Sequence, residues 1–261
     1  MIHRNTFNRN AQLATVLLSA LTLKLCYSSA SVNELRWILA PTTLVVELIS
    51  GARFGFESYT GYVNSDHSFV IAASCSGVNF LITAFLMLSL GKLWQNRGRN
   101  TSWIFLPCAA VCAYVATVVA NTVRISTALR MHGASFGLTS LSQNQIHRFE
   151  GIFVYFGFLL LLFLLSEELN YGHSRTAELM PKMPVADRLS RFERFGKALF
   201  PLLIYYATTL GIPLANLIYH RGVATSEFGE HFAFVLMTPL LFIVPVAILK
   251  LACRISSIHT H

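Results

Sequence analysis

The chain has 261 residues, of which 54% are hydrophobic and only 12% charged, and its formal net charge is +8. A soluble domain carries about twice that charged fraction, so the composition excludes an ordinary soluble protein and indicates an integral membrane protein with short loops. The basic residues flank apolar segments, which favours control of membrane topology over nucleic-acid binding.

Apolar segments set the predicted architecture, because a membrane-spanning helix needs about 20 mainly apolar residues. Six segments qualify, and they predict an all-α, polytopic membrane helix bundle. These are roughly residues 12–30, 67–91, 102–122, 148–166, 198–219 and 231–251. We predict that the first is a retained helix and not a cleaved signal peptide, because no small-residue cleavage site closes it. A seventh run, residues 36–50, is short and contains Pro41 and Glu47, so we predict a re-entrant or interfacial helix there.

Positive charge predicts the orientation of the bundle. With both termini on one side, the two tails and the loops 92–101 and 167–197 carry 13 basic residues, against six on the opposite side. Cytoplasmic loops are the ones enriched in Lys and Arg. The sequence therefore predicts that both termini are cytoplasmic.

Three residues whose side chains can take part in catalysis lie at the ends of three consecutive segments. The second predicted span begins at the external face shortly before Cys75. The third span ends at that face just before Arg124, and the fourth begins there next to His147. At ~1.5 Å of rise per residue, Cys75 is expected about two turns inside the second span. Each residue has a commoner explanation, namely a packing cysteine, an interfacial arginine anchor and a loop histidine. Their coincidence in one outer layer favours a functional site.

The residue types suit acyl transfer by a cysteine. A thiolate is the nucleophile, a permanently charged guanidinium stabilises an oxyanion, and an imidazole moves protons. A metal site is not indicated, because Cys108 and Cys112 lie four residues apart without a His or carboxylate beside them, and no cofactor is expected.

Four further residues are candidates for substrate binding or support. Ser76 lies in the small, polar surroundings of the cysteine. Asn79 and Asn121 either orient the reacting groups or join helices, and the sequence does not choose between these roles. Glu47 either borders the site or is a structural hydrogen-bond partner, the second being favoured. Glu150 is a weaker candidate.

These motifs together resemble the exosortase/archaeosortase family of membrane transpeptidases. The resemblance rests on Ser-Cys-Ser-Gly-Val-Asn-Phe at 74–80, Asn-x-x-Arg-Ile at 121–125 and His-x-x-x-Gly at 147–151. Residues 40–48 and the Gly61-Tyr62 pair resemble one subgroup, the K type. The resemblance covers about residues 35–166.

The resemblance implies a cysteine transpeptidase or protease in a bacterial inner membrane, with Cys75, Arg124 and His147 as its catalytic set. Its expected substrates are exported proteins that end in a sorting signal, which consists of a short motif such as Pro-Glu-Pro, an apolar helix and a basic tail. The chain would then divide into a catalytic membrane core (1–166), a basic cytoplasmic loop (167–197) and a two-helix membrane extension (198–261).

Two other functions stay open at this point. Glu167, Glu168 and His173 allow a metalloprotease-like site at the cytoplasmic end of the fourth span. A small transporter or a membrane scaffold needs no catalytic residue. Transporters often show repeats or mid-membrane charges, whereas this chain has only Lys24 in mid-span and no visible repeat.

Overall fold

The computed structural model describes residues 2–96, 101–132, 143–174, 200–211, 214, 229, 232–239 and 241. Five long helices dominate this part of the chain: α1 (Ile2–Ser29), α2 (Arg36–Ser50), α3 (Val78–Gln95), α4 (Phe105–His132) and α5 (Gln143–Ser174). A small sheet lies between α2 and α3.

Four of the predicted spans are confirmed as helices long and apolar enough to cross a membrane. Their apolar stretches are Phe7–Ser29, Ala73–Gln95, Phe105–Met131 and Phe149–Glu168. Only parts of the predicted spans 198–219 and 231–251 lie within the described residues. There the structure describes a shorter apolar helix, Phe200–Gly211, and helical residues 232–239. The protein is therefore a multi-pass membrane helix bundle, while the number six stays a prediction.

Helix α3 is the central helix of the bundle. It packs against α1, α4 and α5, and ten of its 18 residues are buried. A helix that is apolar on all sides suits such a position. Ala84 and Ser89 are fully buried, and side chains of this size allow neighbouring helices to approach closely.

Helix α2 is amphipathic and packs against α4. Leu39 and Val46 are fully buried, whereas Trp37 and Leu48 are exposed on the other face. The Tyr114 hydroxyl of α4 donates a hydrogen bond to the Trp37 carbonyl at 2.8 Å. At ~1.5 Å per residue, α2 is roughly 22 Å long, which is shorter than the hydrocarbon core of about 30 Å. Its interfacial or re-entrant location stays a prediction.

The sheet was not predicted. It consists of β1 (Phe54–Glu57), β2 (Gly61–Asn64) and β3 (Val70–Ile71), joined antiparallel in that order. The strands have two to four residues, which is too short for an alternating pattern to stand out from a loop. As a result α3 begins at Val78, and the prediction that the second span begins near residue 67 is wrong.

Gly61, the first residue of β2, lies close to the backbone at the end of β3, shortly before the cysteine segment. Its φ is +125°, and a Cβ at this position would lie 2.3 Å from the Ile71 carbonyl oxygen. No side chain fits there. The sheet is also bound to α2, because the Phe54 N–H donates to Glu47 Oε1 at 2.7 Å.

Candidate active site

Cys75 lies on a short 3₁₀ helix, Ala73–Cys75, immediately before α3. Its N–H donates to the Ala72 carbonyl at 2.9 Å. Gly77 follows with a φ of +74°, a left-handed conformation that keeps this turn from continuing into α3. Cys75 therefore precedes the first residue of α3, and the prediction that it lies two turns inside a helix is wrong.

Gly77 also brings the cysteine turn close to α4 and α5. A Cβ on Gly77 would lie 3.1 Å from Thr117 Cγ2, and 3.3 Å from both Asn121 Cγ and the Tyr155 hydroxyl. Three neighbouring side chains thus occupy the space that any other residue would need. The glycine after the Ser-Cys-Ser stretch is required both by its backbone angle and by this packing.

Two residues of α4 contact the cysteine turn. Asn121 is fully buried and its Nδ2 donates to the Cys75 carbonyl. Arg124 is only 9% exposed, and its Nη2 lies 3.8 Å from Cys75 Sγ. Because α4 continues to His132, Arg124 lies two turns before the end of the helix. The prediction that it lies just beyond the helix end is wrong. The structure brings Arg124, Asn121 and Cys75 together.

Tyr155 of α5 completes this arrangement, and the sequence analysis missed it. Its hydroxyl accepts a hydrogen bond from Arg124 Nη1 at 2.8 Å and donates one to Asn121 Oδ1 at 3.0 Å. Its ring stacks on Phe80 of α3 with centroids 5.0 Å apart. One signal was available: residues 147, 151 and 155 are spaced four apart and so share one face of a helix.

The remaining N–H groups of Arg124 are arranged as a fork. In a guanidinium, the Nε–H and one N–H of Nη2 point the same way and bind one oxygen or a pair of oxygens. Nε is buried and has no hydrogen-bond partner among the described residues. Nη2 is the nitrogen near Cys75 Sγ. A buried donor without a partner is costly, so this edge is suited to an oxygen supplied by a bound molecule.

His147 lies in α5, and its side chain is outside the described part of the chain. Its backbone position precedes Gly151 by one helical turn. Gly151 contacts Arg124, because a Cβ there would lie 3.4 Å from Arg124 Nε. The helical register therefore puts His147 on the α5 face whose next two turns contact Arg124.

The other candidates lie at different distances from this cluster. Ser76 is fully buried next to the cysteine. Asn79 is exposed, and its Oδ1 accepts a hydrogen bond from Lys24 Nζ at 2.9 Å, which joins α3 to α1. Glu47 binds the β1 backbone. Glu150 is near enough to Arg124 for an electrostatic interaction.

The described residues contain no group of three His, Cys, Asp or Glu side chains able to hold a metal ion. Glu167, one residue of the metalloprotease-like alternative, accepts a hydrogen bond from Gln95 near the C-terminal end of α3. Cys75 precedes the opposite end of that helix.

The fold and the cluster define a class of protein: a multi-pass membrane bundle in which a thiol just before α3 meets a guanidinium of α4 and a phenol of α5. The family model of the transmembrane exosortases matches residues 8–164. The match covers more than half of the chain, which therefore belongs to the transmembrane exosortase family. Membership indicates a membrane transpeptidase that processes sorting signals. No curated protein and no solved structure matches the chain. The K subtype stays a prediction.

Proposed function

We propose that the protein is a cysteine transpeptidase or protease that cleaves C-terminal sorting signals of exported proteins through a thioester on Cys75. The observation that carries the proposal is the position of Arg124, whose Nη2 lies 3.8 Å from Cys75 Sγ, while the neighbouring Nε is buried and has no hydrogen-bond partner within the described part of the chain. A nucleophile and the Nε–Nη2 edge of a guanidinium, which would supply the oxyanion donors, thus lie side by side.

In the first half of the reaction, Cys75 transfers its thiol proton to His147 and its thiolate attacks the scissile carbonyl carbon. The carbonyl oxygen becomes an oxyanion, which accepts hydrogen bonds from the Nε and Nη2 edge of Arg124. The carbon–nitrogen bond then breaks, and the leaving amine takes the proton from the His147 imidazolium. The product is an acyl thioester on Cys75.

In the second half, an acceptor attacks the thioester carbonyl and gives its proton to His147. The carbon–sulfur bond breaks, and the thiolate regains the proton from His147. An amine acceptor gives transpeptidation, and water gives proteolysis. Arg124 stabilises the oxyanion in both halves, because its charge persists at any accessible pH.

The substrate class follows from the family and from the membrane. An exported protein held by an apolar C-terminal helix presents its scissile bond at the external face of the membrane. We place the cluster at that face of a bacterial inner membrane, with both termini cytoplasmic, because 13 basic residues lie on the side of the termini and six on the other.

An apolar groove supports binding of the substrate helix. It has a volume of about 430 Å³ and lies between α1, α2, α3 and α4, with lining residues that include Ser19, Trp37, Leu81 and Ala110. Small side chains on its wall allow a helix to approach closely. Leu81 lies on the first turn of α3 and is the lining residue nearest along the chain to the cysteine segment.

The experiment that tests the function uses a fusion protein that ends in a Pro-Glu-Pro motif, an apolar helix and a basic tail. It is produced with the full-length chain in bacterial membranes. We expect a processed fusion protein with the unmodified chain, and a thioester on Cys75 detectable by mass spectrometry after acid quenching. Cys75→Ser is expected to abolish both.

Cys108→Ser is the matched control, because Cys108 is a free, exposed cysteine of α4. It is expected to process the substrate normally. Unchanged processing by Cys75→Ser at equal protein level would eliminate Cys75 as the nucleophile. If the protein is instead a transporter or a scaffold, no acyl adduct on Cys75 should form.

A further inference from the structure

The Tyr155 hydroxyl occupies one corner of the Arg124 head group. It accepts from Nη1 at 2.8 Å, and its own proton goes to Asn121 Oδ1 at 3.0 Å. Asn121 in turn donates through Nδ2 to the Cys75 carbonyl. Because Arg124 Nη2 also lies near Cys75 Sγ, four residues from α4, α5 and the cysteine turn form a closed ring of contacts.

This ring determines which edge of the guanidinium faces the thiol. An arginine side chain has several rotatable bonds, and a planar guanidinium presents an end edge (Nη1 and Nη2) and a side edge (Nε and Nη2). The bond from Nη1 to Tyr155 uses one nitrogen of the end edge. The side edge is then left for an incoming oxygen, since no described residue accepts a hydrogen bond from Nε.

We propose that Tyr155 is a positioning residue, which holds the side edge of Arg124 toward Cys75 and, through Asn121, fixes the backbone that carries the thiol. The proposal rests on the proposed function for its catalytic consequence. We do not assign Tyr155 as the proton donor of the reaction, because its hydroxyl proton is engaged in the hydrogen bond to Asn121 Oδ1.

Packing against neighbouring residues holds the Tyr155 side chain in place. Its ring stacks on Phe80, a residue that is 4% exposed, with an interplanar angle of 18°. A Cβ on Gly77 would lie 3.3 Å from its hydroxyl. Packing of Phe80 on the ring, and of Gly77 just before α3 on the hydroxyl, therefore fixes the atom that binds Arg124.

Tyr155→Phe is the test variant, because it keeps the ring and the stacking on Phe80 and removes only the hydroxyl. We expect kcat for the fusion substrate to fall roughly 10- to 100-fold, as small displacements of catalytic groups do, while KM changes less than about twofold. Tyr206→Phe is the matched control, since the Tyr206 hydroxyl donates to the Leu236 carbonyl away from the cluster.

A double-mutant cycle separates positioning from general packing. If Tyr155 acts mainly through Arg124, Tyr155→Phe lowers kcat much less in an Arg124→Ala background than in the unmodified chain, because only its contact through Asn121 remains. An equal loss in both backgrounds would identify a structural role and overturn the proposal. Normal kcat for Tyr155→Phe in an otherwise unmodified chain would overturn it as well.

A second measurement needs no substrate. Iodoacetamide alkylates the thiolate form of a cysteine, and Arg124 Nη2 is the charged group next to Cys75 Sγ. We expect Tyr155→Phe to slow alkylation of Cys75, followed by mass spectrometry, toward the rate of Arg124→Ala, with no added effect in the double variant. This result without any cleavage of the fusion protein would sink the proposed function and leave the positioning role standing. Cleavage that depends on Cys75 but not on Tyr155 would do the reverse.

Discussion

Arg124 and Gly151 are in contact across the interface of α4 and α5. A Cβ at position 151 would lie 3.4 Å from Arg124 Nε and 3.5 Å from its Cδ. A methyl group at position 151, one helical turn beyond His147, would therefore lie in van der Waals contact with the arginine side chain, beside Nε.

Because of this contact, a substitution of Gly151 is expected to affect the stability and the activity of the protein differently. A glycine inside a helix costs about 1 kcal/mol relative to alanine, so Gly151→Ala is expected to raise the thermal midpoint or leave it unchanged. It is also expected to lower kcat several-fold by crowding Nε, and Gly151→Val more strongly. Gly91→Ala is the control, because its Cβ would have the same 3.4 Å clearance, from Phe200, away from the cluster. Full activity of Gly151→Val would contradict the packing explanation.

Arg124→Lys keeps the positive charge but loses the planar fork. Loss of one preorganised oxyanion donor lowers kcat by about 100-fold or more, and we expect a loss of this size, measured as the rate of processing of the fusion protein. Arg130→Lys is the matched control on the same helix, since Arg130 is exposed. Near-normal turnover of Arg124→Lys would reduce Arg124 to a membrane anchor.

Gly77→Ala is expected to impair folding and activity together. The substitution forces a side chain into a left-handed backbone conformation, which costs about 1–2 kcal/mol, and also against Thr117 Cγ2 at 3.1 Å. The thermal midpoint and kcat should both fall. Gly55→Ala provides the comparison, because a Cβ at Gly55 meets nothing within 4 Å. A normal thermal midpoint for Gly77→Ala would show that the cysteine turn tolerates a different backbone.

Ala110→Phe tests the groove. A phenyl ring on its wall should hinder the apolar helix of the substrate, so KM for the full fusion protein should rise while cleavage of a short peptide with the same motif but no helix is unchanged. Val111→Phe introduces the same ring at the next position of α4, where Val111 is 62% exposed. Equal effects of the two variants, or an equal effect on the short peptide, would argue against the groove.

The amino-acid sequence alone predicted the existence and approximate position of the first four spans, because the length and hydropathy of a membrane helix are local properties. It misplaced the start of the second span and the end of the third. Alternation of those spans also predicted that Cys75 and Arg124 lie at the same end of the bundle, and they do meet there. The roles of Asn79 and Asn121 stayed open at that stage, since both residues look alike in the sequence. Their partners, Lys24 and the Cys75 carbonyl, come from distant parts of the chain.

Only the tertiary structure decided the details of the cluster. The helix start at Val78, the sheet before it and the left-handed Gly77 depend on packing between segments. Tyr155 carries no motif of its own, and its importance comes from two hydrogen bonds to residues more than 30 positions away. Hydropathy is read from neighbours along the chain, whereas the orientation of a guanidinium is set by atoms that become neighbours only when helices pack.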